Sequence, residues 1–148
     1  MIDRDHIGQV FPALTVEVEK HHLRTFARAT GQTDPIYLNE TAAQDAGYRS
    51  LPAPPTFLFN LDLEREDSFY FYEALQIDIS RVLHGEQSFT YGEVICAGDH
   101  ITLTNTVMDI YDKKDGALEF VILKTTATNQ NNQNVGGMTR TIIVRRRS

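Results

Sequence analysis

The chain has 148 residues, 41% of them hydrophobic, with 14 basic against 20 acidic side chains for a formal charge of −6. That length carries one core and is short for two, and the acidic balance argues against nucleic acid or an anionic membrane as partner. The single cysteine, Cys96, excludes an internal disulfide, and no Cys/His spacing suggests zinc.

Basic residues gather only in Arg145-Arg146-Arg147, read here as a solvated end. Met1 to His6 is too polar for a signal peptide, and no run approaches the ~20 apolar residues of a membrane span. A cytoplasmic protein is the expectation.

Residues 10–18 carry Val10, Phe11, Leu14, Val16 and Val18, which predict a half-buried strand, with Pro12 placing it at an edge or a strand start. A helix is expected from about Glu19 to Thr30, because Leu23, Phe26, Ala27 and Thr30 fall on one face and Gly31 supplies the stop. Gln32, Thr33, Asp34 and Pro35 are turn formers, and Pro35 holds Asp34 away from helical angles. A short second helix is signalled by Asn39 as N-cap, by Ala42, Ala43 and Ala46, and by Gly47 as stop. After Pro52-Ala53-Pro54-Pro55, Thr56 is the expected N-cap of an apolar helix through Phe57, Leu58, Phe59, Leu61 and Leu63.

Residues 57–77 read as two helical pieces joined by the charged break Glu64 to Ser68, the first being the most buried helix of the molecule. The aromatic cluster from Phe69 to Tyr72 either lines a tunnel for an aliphatic chain or is ordinary core or subunit interface. Four β-rich runs follow: Val82 to Tyr91, Ile101 to Tyr111, Leu118 to Asn129 and Val135 to Val144. Short turns between them predict antiparallel neighbours. Thr102, Thr104 and Thr106 alternate with Ile101, Leu103 and Val107, so one face of that strand is wet and the other dry. The expected architecture is a single α+β domain over residues 1–148, an antiparallel sheet wrapped around the apolar helix. One helix leaves edges of such a sheet bare, so pairing with a second copy or a related chain is expected.

Three co-linear blocks, FARATGQTDPIYLNETAAQDAGY, APPTF and RVLHGEQSFTYGEVICAGD, resemble the MaoC-like hot-dog hydratases and dehydratases. Within that family they are similar to MaoC N-terminal dehydratase-type domains and the A-type subunit of 3-hydroxyacyl-ACP dehydratases. The resemblance implies a single hot-dog fold and an acyl-CoA or acyl-ACP thioester as ligand. Catalytic members place an Asp and a His five positions apart in the loop after the first helix, to activate a water that adds to an enoyl thioester or is expelled in reverse. A helix N-terminus holds the thioester oxygen. Carried onto this sequence, those two positions are Gln32 and Tyr37, with Asp34, Pro35 and Ile36 between. An amide cannot act as a base, and a phenol with a pKa near ~10 is a poor one. Pro55 stands where the family has a glycine whose N–H faces the thioester oxygen, leaving Thr56 or Phe57 to substitute.

His84, Gly85, Glu86 and Gln87 open the first long strand. His84 and Glu86, two apart, are expected on one side of it as an acid/base pair, with Asp34 crossing over from the loop. The alternative is a hydrogen-bonded corner under the loop, or a dimer contact. His6, His21, His22 and His100 are read as surface residues and Asp99 as part of a structural Gly-Asp turn. The candidate catalytic residues are therefore His84, Glu86 and Asp34. The candidate substrate-binding residues are Gln32, Tyr37, Pro55, Thr56, Phe57 and Gln87. Three functions follow from the resemblance: an (R)-specific enoyl thioester hydratase or 3-hydroxyacyl dehydratase, a non-catalytic acyl-chain-binding subunit partnering a catalytic hot-dog chain that carries the Asp and His, and, with less support, a thioesterase. The expected assembly is a homodimer or a heterodimer with another hot-dog subunit. Neither a metal nor a redox cofactor is implied.

Overall fold

Threonine alternating with aliphatic side chains builds the middle of the sheet, as a strand wet on one side must. The computed structural model describes residues 1–146. Arg147 and Ser148, the end of the basic run, lie outside the described residues. Five strands, β1 (Leu14–Glu17), β2 (Val82–Tyr91), β3 (His100–Lys113), β4 (Leu118–Thr128) and β5 (Asn134–Arg145), form one antiparallel sheet in the order β1-β3-β4-β5-β2. The four long runs are where the sequence puts them. Their neighbour relations differ at one point: β2 pairs with β5, not with β3, because the segment between Tyr91 and His100 crosses back to the other side of the sheet. β2 is consequently an edge strand.

The predicted first strand is shorter than expected. Pro12 interrupts it, so Val10 makes only an isolated bridge to Thr106 and the ladder begins at Leu14. Helix α1 (Lys20–Ala29) buries Leu23 and Ala27 and ends before Gly31, whose φ of 73° only glycine adopts freely. In α2 (Glu40–Asp45) the Asn39 side chain accepts from the Ala42 N–H at 3.0 Å, the cap that the sequence calls for. The charged break separates α3 (Phe57–Asp62) from α4 (Tyr70–Ala74).

These helices cover one face of the sheet. One apolar cluster lies towards α1 and α3 and includes Leu23, Leu51, Phe57, Leu61, Ile101 and Leu103. A second, towards α4, includes Phe71, Leu75, Val107, Val121, Leu123 and Ile142. Between them the alternation continues into polar residues: Asn105 follows Leu103 and precedes Val107, Thr125 of β4 stands opposite Asn105, and Arg140 of β5, opposite Leu123, is buried one pair further along. Asp62, at the end of α3, meets them from above.

Candidate functional site

The loop after α1 carries three of the sequence candidates, Gln32, Asp34 and Tyr37, without uniting them with the rest. Asp34 caps a 3₁₀ turn over Pro35–Tyr37, its carboxylate accepting from the Ile36 N–H at 3.1 Å. It does not cross to β2: its geometry is that of a turn-former, as the following proline favours. Tyr37 is half-buried, and burial, with Tyr48 and Asp34 close by, pushes its phenol above the ordinary value. That shift carries it further from service as a neutral-pH base.

His84 and Glu86 part company at a bulge. His84 registers with Ile142 and Glu86 with Thr141, so Gly85 is the extra residue. Residues directly opposed across a ladder share a face, and Ile142 and Thr141 face opposite ways. His84 therefore lies on the helix-covered face and Glu86 on the outer one, which corrects the expectation of an acid/base pair on one side. Glycine fits here because a Cβ on residue 85 would stand 2.8 Å from Ile143 Cδ1. Gln87, opposite Arg140, returns to the helix-covered face, and all three polar side chains are exposed.

An apolar cleft of about 140 Å³ opens at the start of α3, between Pro54, Thr56, Phe57 and Leu58 on one side and Tyr91, Ile95 and Val135 on the other. Its volume matches that of cavities that hold a benzene-sized group, about six carbons. Of the sequence candidates, Thr56 and Phe57 line it; Gln32, Asp34, Tyr37, Pro55, His84, Glu86 and Gln87 do not. Thr56 takes the N-cap position without capping: its side chain makes no cap hydrogen bond, and its φ of 70° is a strained value for a β-branched residue. Its N–H donates to the Tyr91 hydroxyl at 3.3 Å. Of the two amides that could replace the N–H lost at Pro55, that of Thr56 is thus engaged from β2, and that of Phe57 donates to the Pro54 carbonyl at 3.2 Å.

Sequence reasoning missed the polar layer behind this cleft. Asp62 accepts from Arg65 Nε at 3.2 Å and from Asn105 Nδ2 at 2.9 Å, and pairs with Arg140. Asn105 also bonds to the hydroxyls of Tyr70 and Thr125. Two buried guanidinium nitrogens, Arg65 Nη2 and Arg140 Nε, have no partner. Arg140 was visible as the one charge in the buried alternation Met138, Arg140, Ile142, Val144. Burying this set costs more than an apolar filling of like volume. Elsewhere the Gly98-Asp99 turn is structural as read, with Asp99 buried and accepting from Arg49, Gln130 and the Cys96 N–H. His22 is less exposed than expected, standing beside Phe57 and 3.4 Å from Glu64. Among the described residues no group of three His, Cys, Asp or Glu could hold a metal, and no helix is long and apolar enough to cross a membrane.

Residues 5–138 match the family described as FAS1-like, dehydratase domain region. The chain belongs to that family. This FAS1-like dehydratase-region chain is 36% identical over 110 residues to a UPF0336 protein of Streptomyces avermitilis, covering 74% of this chain and 73% of the relative. Its fold is shared with the C-terminally truncated HadBC complex of Mycobacterium tuberculosis, a 3R-hydroxyacyl-ACP dehydratase. The TM-score is 0.78 and the identity 26%, over 94% of this chain and 97% of that one. It is also shared with the ChsH1-ChsH2 complex of the same organism, with a TM-score of 0.74 and 17% identity over 94% and 90%. The FAS1-like chain thus has the MaoC-like hot-dog fold expected of it, and two of its structural neighbours are complexes of hot-dog chains.

Proposed function

We propose that the chain is the non-catalytic, acyl-thioester-binding subunit of a two-chain (3R)-hydroxyacyl thioester dehydratase or hydratase, and that its partner supplies the water-activating Asp and His. The observation that carries this reading is the loop after α1: Gln32 has no basic atom, and Tyr37 is held protonated by its surroundings. Asp34 is committed to capping its own turn, and the Thr56 N–H is engaged by Tyr91. The apolar cleft remains, sized for part of an acyl chain. The unpaired edge of β2 supports a partner strand.

A second reading, hydration by His84 with Glu86, keeps both residues on β2 but has to work across the Gly85 bulge, with the two side chains on opposite faces. The deciding experiment is a spectrophotometric assay at the enoyl absorbance band with crotonyl-CoA and a longer trans-2-enoyl-CoA. The purified chain alone is expected to be inert, and activity to appear on adding a small hot-dog chain that keeps the Asp and His. Turnover by this chain alone, abolished in His84→Ala, would establish the second reading instead. Release of free thiol without loss of the enoyl band would indicate a thioesterase.

A further inference from the structure

We infer that the face of the sheet turned away from the helices carries a docking surface for a second copy of this chain, built around the cross-strand row Tyr111, Phe120, Ile143 and Leu83. The inference does not depend on the thioester reading. Tyr111 stands opposite Phe120, Phe120 opposite Ile143, and Ile143 opposite Leu83, so the four side chains lie next to one another across β3, β4, β5 and β2. Ile143 alternates with Ile142 and Val144, which belong to the core under the helices, and the row therefore points the other way. All four side chains reach solvent, Leu83 being 43% exposed. A solvated strand face is expected to resemble the row Thr106, Lys124, Thr139 and Ser88 further along the same side. Four adjoining apolar side chains, with Ile122 beside them, are instead a contiguous patch. The Tyr111 and Phe120 rings stack at 4.9 Å, and the Lys113 ammonium rests over them, 5.5 and 5.1 Å from their centroids.

The charges on either side of the row select the occupant. Along one side run Lys113, Leu118 and Arg145, and along the other Asp109, Ile122, Thr141 and Glu86. The apolar row thus lies between a cationic margin and an anionic one. Among the described residues none of these four charged groups is in an ion pair. Two such sheets packed face to face about a two-fold axis along the row keep each strand over its equivalent and exchange the margins. Phe120 then meets Phe120 of the second copy, Lys113 meets Asp109, and Arg145 comes down beside Glu86. An axis along the strands would lay cations over cations and carboxylates over carboxylates, so the charge pattern rejects it. Four strands at ~4.8 Å and three rows at ~6.8 Å cover about 400 Å² per copy, half of a standard interface, so the association is a weak and reversible one. Within one chain Lys113 and Asp109 are four residues apart on β3, ~13 Å, and cannot pair with each other.

Sedimentation velocity of the purified chain from micromolar to millimolar concentration tests the surface. The mass should double reversibly, whatever unit the β2 edge forms beforehand. Lys113→Glu and Asp109→Lys each set like charges together at two symmetric points and should each weaken the doubling about tenfold, while the double variant should return to within about threefold of the wild type. Neither residue is on β2, so pairing through that edge is untouched by the exchange. Thermal midpoints of all three variants should match the wild type. In a mixture of isotopically labelled and unlabelled chain, carbodiimide should join Lys113 to Asp109 in mixed-isotope pairs. A mass that stays constant, a double variant as weak as the single ones, strengthening by Lys113→Glu, or absence of that cross-link overturns the inference.

Discussion

Replacing Asp62 with asparagine removes one charge and almost no volume, and it should be among the most damaging single changes in the molecule. The Asp62 carboxylate serves two guanidinium groups, Arg65 Nε at 3.2 Å and Arg140, while its side chain is 3% exposed and theirs 10% and 8%. Solvent can do little for either cation once the carboxylate is gone. Breaking a buried pair by removing one partner costs about 3–5 kcal/mol, and here one removal strands two cations. A loss of about 4 kcal/mol is a large part of the ~5–15 kcal/mol that holds a domain together. Arg140→Leu should cost less, about 2 kcal/mol, because Asp62 keeps Arg65 and Asn105 and the unpartnered Arg140 Nε disappears with its side chain. The chain has no tryptophan, so the assay is urea denaturation followed by far-UV circular dichroism. With a slope of about 2 kcal/mol per molar urea, Asp62→Asn should lower the midpoint by about 2 M and Arg140→Leu by about half that. A loss under ~1 kcal/mol for Asp62→Asn, or equal losses for the two variants, would refute the claim that the carboxylate compensates both cations.

Three further outcomes are expected. Thr56→Gly should raise the melting temperature, because it relieves about 1 kcal/mol of left-handed strain and forfeits no side-chain cap; a fall would show that the strain is absent. Gly137→Ala should lower it, since the new Cβ would stand 2.5 Å from the Thr125 carbonyl oxygen, at a cost of about 1–3 kcal/mol; an unchanged midpoint would contradict that crowding. Burial alone would raise the pKa of Asp99, but its hydrogen bonds from Arg49, the Cys96 N–H and Gln130 outweigh burial and hold the carboxylate below its usual range. Its stabilising contribution is therefore present above the ordinary carboxylate pKa of about 4 and is lost as pH falls through the lower folded value. Melting curves between pH 7 and pH 3 should show Asp99→Asn less stable at neutrality and less sensitive to acid. An identical acid slope in the two proteins would rule the Asp99 contribution out.

The sheet was legible because its strands announce themselves singly: a period of two needs no knowledge of the partner strand. Which strands lie side by side was not legible, and the placement of β2 beside β5 depends on a crossover that no local pattern encodes. The same limit explains the fate of His84 and Glu86. Their spacing promised one face, and a single extra residue at Gly85, whose effect lies in the ladder with β5, sent them to two. Asn39 capped its helix as foreseen because capping is a contact three residues long, whereas the Tyr91–Thr56 bond spans 35 residues and had no local sign. Asp62 was hidden for the opposite reason. It sits at the end of an apolar helix, beside a run of acids and bases that reads as a surface break, and only the tertiary fold shows that its carboxylate turns inward.

A bare ten-residue edge carries a cost when the chain is made alone. β2 offers a row of unclaimed backbone donors and acceptors, flanked by the exposed Leu83 and Tyr91, and such a row accepts any extended segment it meets. The lone chain should consequently accumulate in insoluble form as its concentration rises. Synthesis alongside a matching chain, in equal amounts, would cap the strand before stray β-structure finds it. On the two-chain reading, the ratio at which two messages are translated becomes a determinant of solubility.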